Sequence, residues 1–348
     1  MRNYKEHLIN ANASVRDALV KLDLLAEDAI IFVINDDQEL VGSITDGDIR
    51  RGLIMGVTTE SSLTDFAEIN PKFIYKRDYK IDEIISLRKG KFKILPVLDA
   101  DNKVCNVINF RLVKSYLPVD AIVMAGGRGK RLRPHTDDTP KPLLKVGNKA
   151  IIDHNVDRLR KFGIDDFWIS VRYLGEQLEN HFKDGTNRGV KINYVWENEP
   201  LGTIGAVSKI ESFENDYVLL TNSDILTTMD YEDFFVNFIN KNADMMIAAI
   251  PYQVDIPYAV LETKNELVTS CKEKPTYTYY SNAGIYLIKK EILELIPKNT
   301  FYDATDLIDE VIRTGKRIMA YPIREYWLDI GKPEDFSKAQ EDIKHLNL

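Results

Sequence analysis

The spacing of apolar and polar residues repeats itself over the first 116 positions of the chain. The first copy contains "SVRDALVKLDLLA", with apolar residues at helical spacing, and then the apolar runs "AIIFVIN" and "LVGSITDGDIRRGL". The second copy contains "KIDEIISLRKG", "KILPVLD" and "VCNVINFRLVKSY". Each copy is therefore predicted to fold as helix, strand, acidic turn, strand and helix. The repeat favours two half-modules, residues 1–60 and 61–117, that bury their faces against each other.

From Asp120 onward, short apolar runs alternate with amphipathic stretches. Pro118 is expected to end the preceding helix and to mark the start of a second part, residues 118–348. Apolar runs such as "AIVMA", "DFWISV" and "YVLLTN" are separated by helical stretches such as "AIIDHNVDRLRKFG", "LGEQLENHFKDG" and "TIGAVSKIESF". This alternation predicts an α/β fold with a mainly parallel mixed sheet. Residues 245–287 are richer in predicted strands, and "KPEDFSKAQEDIKHL" predicts a last amphipathic helix.

The composition argues against several classes of function. The 348 residues have a net charge of −8, which gives no general attraction to nucleic acid. Cys105 and Cys271 are far apart, and the five histidines are scattered, so we expect neither a disulfide framework nor a zinc site. Apolar runs stay well below the ~20 residues that span a bilayer, and "MRNYKEHLINANAS" lacks the apolar region of a signal peptide. We therefore expect a cytoplasmic protein that binds neither nucleic acid nor membranes.

The stretch that follows "AIVM" has the composition of a phosphate-binding loop. Gly126, Gly127 and Gly129 come directly after a predicted strand, where glycine lets backbone N–H groups approach an anion closely. A P-loop is excluded because Lys130 is not followed by Ser or Thr. A dinucleotide-binding G-x-G-x-x-G is excluded because Leu132 stands where its third glycine belongs. The stretch therefore predicts a phosphate loop of another kind.

Two basic residues belong to this loop. Arg131 follows the glycines, and Lys141 lies in the segment "TPKPLL" further along. Two fixed positive charges at opposite ends of one loop suit a triphosphate whose inner phosphate is under attack. A solvated basic loop without a ligand is the alternative, and the glycine pattern argues against it.

The stretch "AGGRGKRLRPHTDDTPKPLLKVGNKAIIDH" closely resembles the signature of the sugar-1-phosphate nucleotidyltransferases, the nucleotide-sugar pyrophosphorylases. Further segments match the family in the same order, namely "ENEPLGTIGA", "LLTNSDIL", "CKEKP" with "SNAGIYL", and "EYWLDIGKPEDF". The resemblance covers Asp120–Leu348 and implies a Rossmann-like, GT-A-like nucleotidyltransferase fold. It also implies that an oxygen of a sugar 1-phosphate attacks the α-phosphorus of a nucleoside triphosphate and that pyrophosphate leaves.

The resemblance assigns four residues to the reaction centre. Arg131 matches the arginine that holds the triphosphate and its leaving group, and Lys141 matches the lysine that spans the reacting phosphates. Asp224 and Asp329 match the two carboxylates that hold Mg²⁺. Magnesium accepts one or two carboxylates together with phosphate oxygens and water, so two aspartates from distant segments are suitable. For a lone aspartate after a strand, a helix N-cap is the alternative.

The remaining matched positions belong to the two substrates. Nucleotide contacts are expected from Ala125, Gly126, Gly127, Gly129, Glu197, Gly202 and Thr203, and sugar-phosphate contacts from Glu273, Lys274, Asn282 and Gly284. Glu197 lies at the base position, and a carboxylate can accept hydrogen bonds from N1–H and from the exocyclic amine of guanine. We therefore expect GTP, with UTP or dTTP as the alternative, since some uridylyltransferases also have Glu here. A surface ion pair is the alternative for Glu273 and Lys274.

The identity of the sugar is less well defined by the sequence. A repeat followed by a short catalytic part resembles the guanylyltransferases that act on glucosamine 1-phosphate in bacterial legionaminic acid synthesis. This resemblance favours glucosamine 1-phosphate, while mannose 1-phosphate and heptose 1-phosphate stay open. A nucleotide-sensing regulator with an inactive transferase part is the alternative of another class, and the presence of all four reaction-centre residues argues against it.

The repeat itself resembles a CBS pair, a module with α+β half-domains. In that family, the turn matched by "GSITDGDIRRG" binds the ribose and phosphate of an adenine nucleotide; Thr45 and Asp48 match, and Arg51 is placed to add a phosphate contact. We therefore expect AMP, ADP or ATP at this turn. In the second copy, Asn109 and Leu112 replace the expected Thr and Asp, so this copy departs from the binding pattern. A structural dimerisation module is the alternative, and a homo-oligomer is expected.

Overall fold

A computed structural model of the chain describes residues 4–90 and 92–346. Its contacts divide into two units. The first comprises Met1–Pro118, Leu159–Asp166 and Asp184–Lys191, and the second comprises Val119–Arg158, Phe167–Lys183 and Ile192–Leu348. Among the helices of the described ranges, none has both the length and the apolar character needed to cross a membrane.

Two similar three-stranded sheets build the first unit. The strands are β1 (Leu8–Asn10), β2 (Ile30–Ile34), β3 (Leu40–Thr45), β4 (Ile74–Tyr75), β5 (Ile94–Leu98) and β6 (Val104–Asn109), and the helices are α1 (Val15–Leu25), α2 (Asp46–Ile54) and α3 (Ile81–Lys89). In each sheet the first pair of strands is parallel and the second pair is antiparallel. The strands of the two copies thus form the same arrangement, and each copy begins with a short strand that the apolar pattern did not predict.

The helix predicted after β6 does not form, because the chain continues from Asn109 into a turn and then an irregular segment. The Asn109 side chain accepts the N–H of Arg111 at 3.0 Å and so supports the turn. Beyond it, Lys114 N donates to the carbonyl of Lys161, and Leu117 N donates to the carbonyl of Phe162 at 3.1 Å. These N–H groups are bonded to a distant segment of the same unit and are not available for a helix. The prediction that Pro118 ends a helix was therefore wrong.

A seven-stranded sheet organises the second unit, with strand order β11-β10-β7-β12-β17-β14-β18. The strands are β7 (Val119–Met124), β8 (Lys145–Val146), β9 (Lys149–Ala150), β10 (Asp166–Val171), β11 (Lys191–Trp196), β12 (Tyr217–Asn222), β13 (Ile225–Thr227), β14 (Met245–Asp255), β15 (Val260–Lys264), β16 (Leu267–Lys272), β17 (Thr276–Lys289), β18 (Ile318–Pro322) and β19 (Trp327–Asp329). The helices are α4 (Ile151–Lys161), α5 (Gly175–Phe182), α6 (Tyr231–Asn240), α7 (Ala304–Arg313) and α8 (Pro333–Asp342).

The large sheet is mainly parallel and mixed, as the alternation of strands and helices predicted. β7 is parallel to both β10 and β12, and β14 is parallel to β18. β17 runs antiparallel to its neighbours β12 and β14. On one face of the sheet, Val218 and Leu220 of β12 belong to the same buried cluster as Leu307 and Val311 of α7. This burial explains why β12 has a continuous apolar sequence.

One predicted helix of this unit is reduced to a short 3₁₀ helix. The stretch "TIGAVSKIESF" contains regular structure only at Gly205–Lys209. The N–H groups of Ile204 and Gly205 both donate to the carbonyl of Tyr302 at 3.1 Å, and a Cβ on Gly205 would lie 2.6 Å from the carbonyl oxygen of Thr300. The close approach of residues 300–302, and not the helical propensity of the stretch, therefore sets the local conformation.

Candidate active site

The glycine loop begins where β7 ends, at the carboxyl edge of the parallel strands. Ala125 is buried, and its N–H donates to the carbonyl of Ser170 at 3.0 Å. Gly129 has a φ of +59°, and a Cβ there would lie 3.0 Å from the Cβ of Lys141. A side chain at this position would therefore be strained and also crowded. Gly129 lets the loop fold back so that Arg131 and Lys141 border one cavity of about 410 Å³.

Asp224 and Asp329 are brought together by a small antiparallel pair of strands. Ile225 of β13 is paired with Asp329 of β19, and Ile330 N donates to the carbonyl of Asp224 at 3.0 Å. Asp224 Oδ2 forms an ion pair with Lys141 Nζ. Burial, with a smaller contribution from the charge of Asp224, raises the pKa of Asp329. The reaction-centre residues expected from the sequence thus lie at one site.

The two carboxylates have the features of a divalent cation site. Oδ1 of Asp224 and Oδ1 of Asp329 are both buried and accept no hydrogen bond from the described residues. A buried carboxylate oxygen without a donor is costly unless a ligand compensates for it. The described residues form no group of three or more His, Cys, Asp or Glu side chains suited to a metal. Such a cation would therefore take its other ligands from phosphate and water, as magnesium does.

Glu197 also lines the first cavity. The residue is 7% exposed, and its Oε1 accepts a hydrogen bond from the hydroxyl of Ser170. A Cβ on Gly126 would lie 2.7 Å from Glu197 Oε1, so glycine is needed for this approach. Gly202 has a φ of +78°, with the carbonyl oxygen of Tyr302 only 2.5 Å from where its Cβ would be. Gly127 and Thr203 also line the cavity.

A second cavity of about 380 Å³ adjoins the first, and Thr203 and Asn222 line both. Asn282 and Gly284, which were expected to line a sugar pocket, border this second cavity. Gly284 has a φ of +70°, and a Cβ there would lie 2.6 Å from the side-chain nitrogen of Asn222. Asn282 Nδ2 donates to the hydroxyl of Tyr286 at 2.8 Å. Asp329 contributes to the lining of this cavity as well.

Glu273 and Lys274 lie apart from the two cavities. Both residues are exposed on the turn between β16 and β17, and Lys274 has a φ of +42°. Neither belongs to the described residues that line the cavities. Their assignment to the sugar phosphate therefore stays a prediction from the sequence.

In the first unit, Thr45 and Asp48 form the N-terminal cap of α2. Thr45 Oγ1 donates to Asp48 Oδ2 at 2.6 Å, and Asp48 N donates to Thr45 Oγ1 at 3.3 Å. The Arg51 guanidinium forms an ion pair with Asp48. The three residues are thus neighbours at a helix N-terminus, a place that favours anions. The same contacts also serve as a capping box.

The residues that the sequence analysis missed include Arg172, Asn222 and Asp303, which line the cavities, and Ser170, which contacts Glu197. Ser170 sits within an apolar strand, and Asp303 precedes a helix, so each resembles an ordinary structural residue. Arg172 and Asn222 lie at the carboxyl ends of parallel strands. That position is the signal that could have found them.

Comparisons with known proteins give two family matches and several similar proteins. The family described as nucleotidyl transferase matches residues 120–345, and the CBS domain family matches residues 5–54. A D-glycero-alpha-D-manno-heptose 1-phosphate guanylyltransferase from Aneurinibacillus thermoaerophilus is 32% identical over 231 residues, covering 65% of this chain and 99% of that protein. A UTP–glucose-1-phosphate uridylyltransferase from Synechocystis is 28% identical over 253 residues, covering 66% of this chain and 65% of that protein. The crystal structure of HddC from Yersinia pseudotuberculosis has a TM-score of 0.50 at 27% identity, covering 64% of this chain and 99% of that one.

Proposed function

Since the chain belongs to the sugar-1-phosphate nucleotidyltransferase family and also carries a CBS domain, we propose that it joins GTP to a hexose 1-phosphate, giving a GDP-sugar and pyrophosphate. The observation that carries the proposal is that Arg131, Lys141, Asp224 and Glu197 line one cavity, with Asp329 held beside Asp224 by the pairing of β13 with β19.

The proposed reaction needs charge neutralisation more than covalent chemistry. An oxygen of the sugar 1-phosphate forms a bond to the α-phosphorus of GTP, the bond from that phosphorus to the bridging oxygen breaks, and pyrophosphate leaves with this oxygen. Lys141, 9% exposed, would neutralise charge on the reacting phosphates from a desolvated position, where its effect is strong. Arg131, which is exposed beside Gly331, would hold the leaving pyrophosphate.

Asp224 and Asp329 would hold Mg²⁺, and the buried oxygens without hydrogen-bond donors support this role. Bound magnesium would stabilise negative charge on the phosphates. Lys141 pairs with Asp224 in the structure. Cation and lysine are thus expected to share this carboxylate, which would place both charges beside the same phosphate.

The preference for GTP is supported by Glu197. The related heptose and glucose enzymes use different bases according to their names, so family membership leaves the base open. A carboxylate can accept two hydrogen bonds from the N1–H and the amino group of guanine, whereas uracil and thymine offer one N–H donor. Guanine therefore satisfies this site best.

Glucosamine 1-phosphate is the sugar that the second cavity supports best. Two carboxylates, Asp303 and Asp329, are among its described lining residues, and no Lys or Arg is. Asp329 is assigned to the cation, which leaves Asp303 to face the sugar. Asp303 Oδ1 accepts the N–H of Thr203 at 2.8 Å, and a carboxylate has further acceptor sites. An ammonium group on the sugar would compensate for this charge, whereas mannose and heptose 1-phosphates would not.

A substrate matrix tests these assignments. Mg²⁺-dependent release of pyrophosphate would be measured for GTP, UTP, dTTP, ATP and CTP, each with glucosamine, glucose, mannose and heptose 1-phosphates. The highest kcat/KM is expected for GTP with glucosamine 1-phosphate. A higher value for UTP or dTTP would refute the assignment of the base, and no pyrophosphate release with any pair would refute the activity.

For the first unit, we propose that an adenine nucleotide binds at Thr45, Asp48 and Arg51 and changes the rate of the transferase. The N-terminus of α2 supports an anion site there. Calorimetry with AMP, ADP and ATP tests binding, and the matrix repeated with each nucleotide tests regulation. Absence of heat together with unchanged rates would leave the module with a structural role, such as assembly of the expected homo-oligomer.

A further inference from the structure

Ser170 is a buried hydroxyl whose purpose the reaction chemistry does not explain. The residue is 1% exposed near the end of β10, where its register partner is Met124 of β7. Its carbonyl accepts the N–H of Ala125, and this hydrogen bond fixes the backbone of Ser170 to the start of the glycine loop. Its hydroxyl points at Glu197 Oε1 and donates a hydrogen bond to it.

The Glu197 carboxylate is held by neutral donors on both oxygens. Ser170 donates to Oε1, and the N–H of Leu201 donates to Oε2 at 3.2 Å. The Glu197 N–H donates to the carbonyl of Val171 at 3.0 Å, which fixes the backbone of the residue as well. A carboxylate has about four lone-pair sites in its plane. The two protein donors therefore leave one acceptor site on each oxygen.

We infer that Ser170 is a positioning residue for base selection, since it fixes the Glu197 carboxylate so that one acceptor site on each oxygen matches the paired N–H donors of guanine. This inference rests on the proposed guanine specificity. Without the Ser170 hydroxyl, the carboxylate would be held from the side of Leu201 only and could rotate. A rotated carboxylate would still accept N1–H but would lose the parallel second bond to the amino group.

The consequence is specific to the amino group of the base. Inosine triphosphate keeps N1–H and lacks the exocyclic amine, so the ratio of kcat/KM for GTP to that for ITP reports the second bond alone. A hydrogen bond to a charged group is expected to make this ratio about tenfold or more in the wild type. The Ser170→Ala variant should lower the ratio by about the same factor, through KM for the nucleotide and with an unchanged KM for the sugar 1-phosphate.

The experiment measures pyrophosphate release with GTP, ITP and UTP for the wild type, Ser170→Ala, Glu197→Gln and the double variant. Ser208→Ala is the matched control, because Ser208 Oγ donates to the carbonyl of Gly205 at 2.7 Å in the same unit. The control should keep the wild-type ratio. In the Glu197→Gln background, Ser170→Ala should have no further effect on the ratio, because the carboxylate that it positions is gone.

The outcomes separate this inference from the function on which it rests. A wild type that prefers UTP to GTP refutes guanine selection and the role of Ser170 together. A wild type that prefers GTP, combined with a Ser170→Ala variant that keeps the wild-type ratio of GTP to ITP, refutes the role of Ser170 alone. An equal loss of kcat/KM for both nucleotides also refutes it, because a merely structural serine would act in that way.

Discussion

Asp165 gives the first unit a pH dependence that can be measured. Its Oδ2 accepts hydrogen bonds from Asn106 Nδ2 at 2.8 Å and from the Tyr116 hydroxyl at 3.4 Å. Burial, and to a smaller extent the charge of Asp166, raise the pKa of Asp165 to about 7, whereas Lys76 and the hydrogen bond from Tyr116 act in the opposite direction. The carboxyl group thus changes its charge close to neutral pH.

The sign of the effect follows from the two pKa values. The unfolded chain loses this proton near 3.8 and the folded chain near 7, so the folded state binds the proton more tightly. The stability that this proton provides is complete below about pH 4, declines as the pH rises and is lost above about pH 7. Between about pH 5.5 and about pH 8, the linkage relation gives a loss of about 2 kcal/mol in the free energy of unfolding. The uncharged Asp165→Asn variant should lack this loss.

Urea unfolding of the full chain at these two pH values tests the expectation. The free energy of unfolding of the wild type should fall by about 2 kcal/mol more than that of Asp165→Asn. Asp82→Asn is the control, because Asp82 is an exposed carboxylate on α3 of the same unit. It should keep the pH profile of the wild type. Parallel profiles for the wild type and Asp165→Asn would refute a carboxyl group that titrates near neutral pH.

Three further predictions concern the second unit. Asp224→Asn and Asp329→Asn should each lower kcat about 100-fold or more, because the cation would lose a charged ligand; near-normal turnover in both would mean that the cation binds elsewhere. Asp303→Asn should lower the preference for glucosamine over glucose 1-phosphate about tenfold, whereas the neighbouring Asp306→Asn should not. An equal loss of kcat/KM for both sugars would make Asp303 an acceptor for sugar hydroxyls. Lys274→Ala should raise KM for the sugar 1-phosphate but not for GTP, and a value equal to that of the exposed Lys264→Ala control would exclude contact with the sugar phosphate.

The features that could be predicted from the sequence are those set by local physics. Strands buried on both faces read as continuous apolar runs, as β7 and β12 do, and Gly129 marks a backbone that a side chain would strain. The long-range contacts could not be predicted in this way. The helix expected after β6 is replaced by an irregular segment, because the N–H of Leu117 donates to the carbonyl of Phe162. The local sequence pattern does not indicate such a distant partner.

Ser170 and Asp303 show why part of the site was missed. A serine in an apolar strand and an aspartate before a helix both have ordinary structural explanations. Their importance comes from what the fold places opposite them, which is Glu197 in one case and the N–H of Thr203 in the other. Such roles are decided by contacts between segments that lie far apart in the chain. The spacing of residues along the sequence does not reveal these contacts.

Glu273 and Lys274 show the same limit in the opposite way, because the sequence assigns them to a substrate although neither is among the described residues that line the cavities. Asn282 borders the second cavity. Thr276, the first residue of the same strand, is separated from Asn282 along the strand by roughly 20 Å, at about 3.3 Å per residue. The outer part of β17 pairs with Tyr252 and its neighbours on β14, and both strands are largely exposed there. The turn that holds Lys274 lies further still along the chain. Since Lys274 is not among the described residues that line the cavity, Lys274→Ala tests whether it contacts the sugar phosphate once the substrate is bound.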